Sequence, residues 1–183
     1  MTTYVAFLRA INLGKHLSIR MEALRGFFAS VGFEGIETVQ QTGNVVFRAP
    51  RQPTGALEQR LEGEALRRHR WATDFLVRDA DELERVLRSN PFPEAASSDP
   101  SHLLVYFLKD APRPAAVAAL QAWIPGRESV RSVGRALYAV YPDGIGRSRL
   151  STDRIERTLA GRATGRNWNT VGRCGQVARS ESP

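Results

Sequence analysis

Apolar positions along the chain change period several times, and each change marks an element. Residues Tyr4 to Ile11 are almost continuously apolar, the pattern of a central strand covered on both faces. Met21, Leu24, Phe28 and Val31 then recur at helical spacing, and Gly32 stands where a helix C-terminus favours glycine. Ile36 to Gln41 and Val45 to Phe47 flank Thr42-Gly43-Asn44, a turn signal that predicts a hairpin. Leu57, Leu61 and Leu66 predict a second helix after Pro53-Thr54-Gly55, and Thr73 to Val77 a short strand. Asp79 to Leu87 predicts a third helix, with Asp79 and Glu82 in capping-box spacing. Asn90 to Pro100 holds three prolines and two serines and reads as a linker.

The second half follows the same order. Leu103 to Leu108 is again a continuous apolar strand. Val117, Leu120 and Ile124 mark a helix that stops before Pro125-Gly126. Ser129 to Val133 and Ala136 to Tyr141 flank Gly134 as a hairpin, and Asp153 to Leu159 begins another helix, with Asp153 and Glu156 as its capping pair. Both halves read β-α-β-β-α, and the first adds a strand and a helix. The expected fold is α+β, two ferredoxin-like (βαββαβ-type) subdomains packed as one compact protein. The expected boundaries are an N-terminal lobe over 3–90, a linker over 91–100 and a basic C-terminal lobe over 101–179. The last helix carries Gly172 and Gly175, each costing about 1 kcal/mol relative to alanine, so its C-terminal half needs packing to persist.

Composition narrows the function classes. No run of 18 apolar residues exists, so no membrane span is expected. The opening Met1-Thr2-Thr3-Tyr4 lacks a basic n-region and runs straight into a strand, and the single cysteine, Cys174, permits no internal disulfide; a cytoplasmic chain is expected. One cysteine and three scattered histidines (His16, His69, His102) make a zinc site unexpected, and no cofactor or metal is expected. The net charge of +7 is localised. Residues 127–179 hold eleven arginines against Glu128, Asp143, Asp153 and Glu156, which is the whole excess, while the other 130 residues balance. A localised basic region is the footprint of an anionic partner. The competing reading is a general preference for arginine, since Lys15 and Lys109 are the only lysines.

Three segments carry the candidate chemistry. Gly144-Ile145-Gly146-Arg147-Ser148 lies between a strand and a helix, where backbone N–H groups and a helix N-terminus can meet a phosphate, with Arg147 and Arg149 adding charge. It lacks the endings of a Walker loop or a dinucleotide fingerprint, and a plain turn is the alternative. In Thr164 to Thr170, Thr164 is a candidate cap for the last helix, and Arg166 forks onto an anion or forms a structural ion pair. Asn167 lies beside it, and Trp168 either stacks on a base or anchors the helix. The loop Asn12 to His16, with Asn12, Gly14 and Lys15, leaves a central strand where open α/β sheets often bind ligands. Arg9, inside the apolar run, must be paired or face a pocket. Thr42-Gly43-Asn44 reads as a turn, and Cys174 as a buried thiol.

Leu8-Arg9-Ala10-Ile11-Asn12-Leu13-Gly14, Gln41-Thr42-Gly43-Asn44-Val45-Val46-Phe47, Gly134-Arg135-Ala136-Leu137-Tyr138, Gly144 to Leu150 and Thr164 to Thr170 occur in an order that resembles the domain-of-unknown-function family 1697, over about residues 3 to 178. The resemblance implies a single α/β protein of two ferredoxin-like subdomains and implies no activity. The family usually has glycine where Ala10 and Lys15 stand, so here a lysine charge replaces some of the loop's backbone freedom.

Catalytic signatures are missing: there is no serine elbow, no His-Glu-x-x-His helix and no Cys-His pair. Three functional classes follow. The first is a binding protein for a phosphate-rich ligand, RNA or a nucleotide, with Phe47, Tyr138 and Tyr141 as the strand aromatics available for stacking. The second is an enzyme or sensor for a small anionic metabolite held in a cleft between the lobes. The third is a structural or partner-binding module whose basic face is only solvated.

Overall fold

The apolar run at the N-terminus becomes β1 (Thr2–Leu8), buried from Thr3 to Leu8 because it is central and covered on both faces. The structure is a computed structural model that describes residues 1–9 and 19–181. The loop read from Asn12 to His16, with Asn12, Gly14 and Lys15, lies outside the described residues.

The first sheet is completed by β2 (Glu34–Val39), β3 (Asn44–Ala49) and β4 (Phe75–Asp79), with α1 (Met21–Ser30) and α2 (Thr54–His69) on one face. Its order is β2-β3-β1-β4 with antiparallel neighbours, the ferredoxin-like arrangement. Period-2 alternation sends Tyr4, Ala6, Leu8, Val45, Phe47 and Phe75 onto Leu24, Phe27 and Phe28 of α1 and Leu57 and Leu61 of α2. Thr42-Gly43-Asn44 is a turn: Gly43 sits at φ +73°, and the buried Asn44 amide donates to Val39 O at 3.0 Å and Thr42 Oγ1 at 2.9 Å.

Next comes α3 (Ala80–Arg88), entered through the expected capping box. Asp79 Oδ1 accepts from the Glu82 N–H at 2.7 Å, and the Glu82 carboxylate accepts from the Asp79 N–H at 3.3 Å. The proline-rich stretch 91–100 contains a short helix, α4 (Pro93–Ser98).

The second half gives β5 (Leu103–Leu108), α5 (Pro114–Trp123), β6 (Ser129–Val133), β7 (Ala136–Val140), α6 (Thr152–Leu159), β8 (Ala163–Asn167) and α7 (Trp168–Ser180). Its sheet order, β6-β7-β5-β8, repeats the first, so the fold is α+β in two similar halves. Two expectations need correction. Thr164 does not cap a helix; it lies in β8, paired with β5 from Leu104↔Asn167 to Leu108↔Ala163. The strand was hidden because Ala163-Thr164-Gly165-Arg166-Asn167 shows no apolar alternation. Gly165 is required by packing, since a Cβ there would stand 2.8 Å from the Tyr106 ring. Secondly, Ser151, not Asp153, caps α6 by accepting from the Arg154 N–H at 3.2 Å. Glu156 is directed elsewhere, accepting from the Ala163 N–H at 2.8 Å.

The chain divides into two compact units, Met1–Arg85 with Gly172–Pro183, and Val86–Val171, so the divisions fall inside α3 and α7. Despite its glycines α7 runs to Ser180, with Val171, Cys174 and Ala178 buried at helical spacing. Among the described residues no helix is long and apolar enough to cross a membrane.

Candidate anion-binding groove

β6 is an edge strand of the second unit's sheet. Val130 turns into the core, so Ser129 and Arg131 face the opposite side. There they meet the chain entering α4. The result is a groove of about 390 Å³, with Pro91, Phe92, Pro93 and Glu94 on one wall and Arg127, Ser129, Arg131 and Pro142 on the other. That volume suits a small ligand or one unit of a larger one. The Arg131 guanidinium lies 5.1 Å from the Phe92 ring centroid and donates to Pro91 O at 3.4 Å. Arg127 forks onto Asp143, with Nε 3.1 Å from Oδ2 and Nη2 bonded to Oδ1. Hydrogen bonding from Arg127, helped by the charges of Arg127 and Arg147, holds the Asp143 carboxyl below the usual aspartate range. The groove rim therefore continues through Asp143 into the glycine-bearing loop.

That loop begins at Gly144 (φ +83°) and forms a single 3-10 turn over Ile145–Arg147. The N–H groups of Gly144, Arg147 and Ser148 donate to the carbonyls of Tyr141, Gly144 and Ile145, so these three are engaged within the loop. Ser148 is an anchor: its hydroxyl donates to Glu128 Oε1 and accepts from the Leu150 N–H at 3.0 Å. Beneath, the Tyr141 hydroxyl donates to Leu150 O at 3.1 Å and pairs with the Tyr106 hydroxyl at 2.7 Å. Burial pushes both phenol pKa values up. On this base stand Gly146, Arg147 and Arg149, all exposed, and Ile145, an apolar side chain 49% exposed. Neither Arg147 nor Arg149 makes a salt bridge among the described residues.

The other predicted residues are placed as follows. Arg9 belongs to the first unit, with Nη1 3.8 Å from the Asp74 carboxylate. Thr164 is buried on β8, and its hydroxyl accepts from Arg166 Nη1 at 2.8 Å; Arg166 also donates to Gly165 O at 2.9 Å. Asn167 caps α7, its Oδ1 accepting from the Thr170 N–H and hydroxyl, each at 2.9 Å. Leu103↔Val140 and Leu104↔Asn167 put Asn167 at the same sheet end as the loop after β7, whereas Phe107↔Thr164 puts Thr164 towards the other end. Phe47, Tyr138 and Tyr141 are fully buried and give no stacking surface, which corrects that part of the RNA reading.

No sequence motif marks Arg127 and Arg131, which line the candidate groove; the available signal was the alternation Ser129-Val130-Arg131 beside a proline-rich segment. His102, read as one of three scattered histidines, has its Nδ1 2.6 Å from Asp99 Oδ2 at an Asp-x-x-His spacing. Asp99 is held below its ordinary value by the Ser101 hydroxyl first and His102 second. Among the described residues no three His, Cys, Asp or Glu side chains gather as metal ligands.

Two repeated ferredoxin-like units define the class: a duplicated α+β protein, with an arginine-lined groove on its second unit. The family described as Protein of unknown function (DUF1697) matches residues 1–138, and the chain belongs to that family. A conserved bacterial protein of Streptococcus pneumoniae has a similar structure, with a TM-score of 0.73 at 19% identity over 97% of this chain and 98% of that one. At that identity the likeness establishes the fold alone. No curated protein matches the chain.

Proposed function

We propose that the chain is a binding protein for a phosphate-rich ligand, RNA or a nucleotide, taken up by the groove and loop of the second unit. The observation that carries this reading is the pair Arg127 and Arg131 on one groove wall, with the charge of Arg147 close enough to act on Asp143, the partner of Arg127. Guanidinium groups fork onto phosphate oxygens with two parallel hydrogen bonds. Phe92 supplies apolar surface for a base or ribose, and the prolines keep the wall stiff. Asp143 occupies Arg127 until a phosphate displaces it, so weak anions are rejected.

The test is binding of a labelled single-stranded RNA and of a nucleoside triphosphate by the full chain and by its R127A/R131A/R147A variant. Each lost charge-assisted contact is worth about 1.5–3 kcal/mol, so the triple variant should bind the nucleoside triphosphate at least about a thousandfold more weakly. Undetectable binding of both ligands to the unaltered chain at low salt ends the proposal.

A further inference from the structure

The end of α2, in the first unit, carries Arg67, Arg68, His69 and Arg70, followed by Trp71. The His69 ring lies flat on the Trp71 indole, with centroids 4.3 Å apart and planes 20° apart. Phe27 of the core meets both rings close to edge-on, so the stack is founded on the unit's interior. Trp71 is half-buried and His69 exposed. Trp71 covers one face of the imidazole, and His69 as a whole remains exposed. Helical spacing places Leu66 beside His69 and Arg70, and Leu66 is 51% exposed.

Arg70 adds a second, independent observation. It adopts the left-handed conformation, φ +57°, while the Trp71 N–H reaches back to Ala65 O and closes the helix. This closing position favours glycine, and any other residue there carries a backbone cost. The Arg70 guanidinium makes no hydrogen bond or ion pair among the described residues that offsets it. The helix dipole favours a cation in the last turn, but Arg67 and Arg68 already meet that need. Both are gathered on Glu64, and Arg68 is further fixed by donating to Ser30 O at 3.1 Å. The turn thus combines an exposed imidazole backed by an indole, an exposed leucine and three arginines against one carboxylate.

We propose that the turn Arg67–Trp71 is a stacking platform for single-stranded nucleic acid. The exposed imidazole of His69, backed by Trp71, receives one base, and Arg70 with Arg67 and Arg68 receives the flanking phosphates. Aromatic faces accept any base, so this site binds without reading sequence. It lies in the other unit from the groove and does not depend on the groove's function.

The experiment titrates the full-length chain with 12-nucleotide oligoadenosine, an abasic strand of the same length and anionic phospholipid vesicles, following the Trp71 indole signal by NMR. Oligoadenosine is expected to shift that signal, while the abasic strand binds about tenfold more weakly and leaves it in place. The H69A variant should lose about tenfold in affinity for oligoadenosine. The R70G variant should lose severalfold in affinity while its melting temperature rises, a combination that misfolding cannot produce. The R127A/R131A/R147A chain should keep the Trp71 response, which separates this proposal from the groove. Equal binding of the abasic strand, a vesicle-induced Trp71 shift as large as that from oligoadenosine, or unchanged affinity in both H69A and R70G overturns it.

Discussion

Single side chains set the charge that the candidate groove presents and the pH range over which the fold beneath it survives. Asp143 neutralises Arg127 in the free protein, and its lowered pKa keeps that tie intact across neutral pH. Replacing it by D143N removes the competing charge and leaves the fork free. Affinity for a nucleotide should then rise about two- to fivefold at low salt, within the range for an exposed ion pair, and the gain should shrink as salt is added. Nucleotide titrations of D143N and the unaltered chain at two salt concentrations check this; unchanged or weakened binding shows that Asp143 does not guard the groove. Tyrosines limit the alkaline side. Burial raises the pKa of Tyr106, Tyr138 and Tyr141, and Tyr138 also donates to Val86 O at 2.7 Å. The folded state keeps their protons where the unfolded chain loses them, so stability holds below the unfolded phenol value near 10 and falls as pH rises beyond it. Absorbance titration at 295 nm should show these three phenols ionising together with loss of near-ultraviolet dichroism; ionisation while the fold persists contradicts the burial.

Secondary-structure elements show which parts of the sequence were readable. β1 and β5 were evident because a strand covered on both faces leaves an unbroken apolar run. The hairpins were evident because Gly43 and Gly134 mark positive φ. β8 was not, because its composition answers to the Tyr106 ring and to an edge position that no periodicity records. The edges also reveal a device repeated in both units. In the first, Glu58 and Glu62 of α2 accept from the Val77 and Phe75 N–H groups of β4 at 2.8 and 3.0 Å; in the second, Glu156 of α6 does the same for Ala163 of β8. A helix carboxylate thereby satisfies an edge strand that would otherwise recruit another chain. The two copies should differ in cost. Glu58 Oε1 is also 3.8 Å from the Arg78 guanidinium, and both side chains are almost wholly buried. E58A should therefore cost about 3–5 kcal/mol, against about 1–3 for E156A, where the neighbouring Arg162 is exposed. Urea unfolding of both variants measures the difference, and equal losses refute the role given to the buried charge.

At the scale of the whole molecule, the charge distribution was legible and its geometry was not. The sequence placed the entire positive excess in residues 127–179, but only the fold shows which arginines share a place: Arg127 and Arg131 line the groove, and Arg147, on the loop after β7, acts on Asp143 beside it. Other members of the same excess act locally: Arg166 bonds within β8, and Arg154 lies 3.9 Å from the Trp123 ring centroid. Bulk charge therefore overstates the charge that the candidate groove itself presents. This can be measured, because each phosphate neutralised on a single strand releases condensed counterions and contributes about 0.7 to the slope of log affinity against log salt. If all eleven arginines took part, the slope for single-stranded RNA would approach about −8; if the groove alone binds, its three arginines give about −2. With those three arginines and Arg67, Arg68 and Arg70 all engaged, a slope of about −4 that falls to about −2 in the R127A/R131A/R147A chain is the expected result. A steep slope that survives the triple substitution means that RNA is attracted by diffuse surface charge, and the groove is then not the site. An intermediate slope that loses about 2 on the triple substitution, and the remainder when Arg67, Arg68 and Arg70 are also replaced, assigns one share of the strand to each unit.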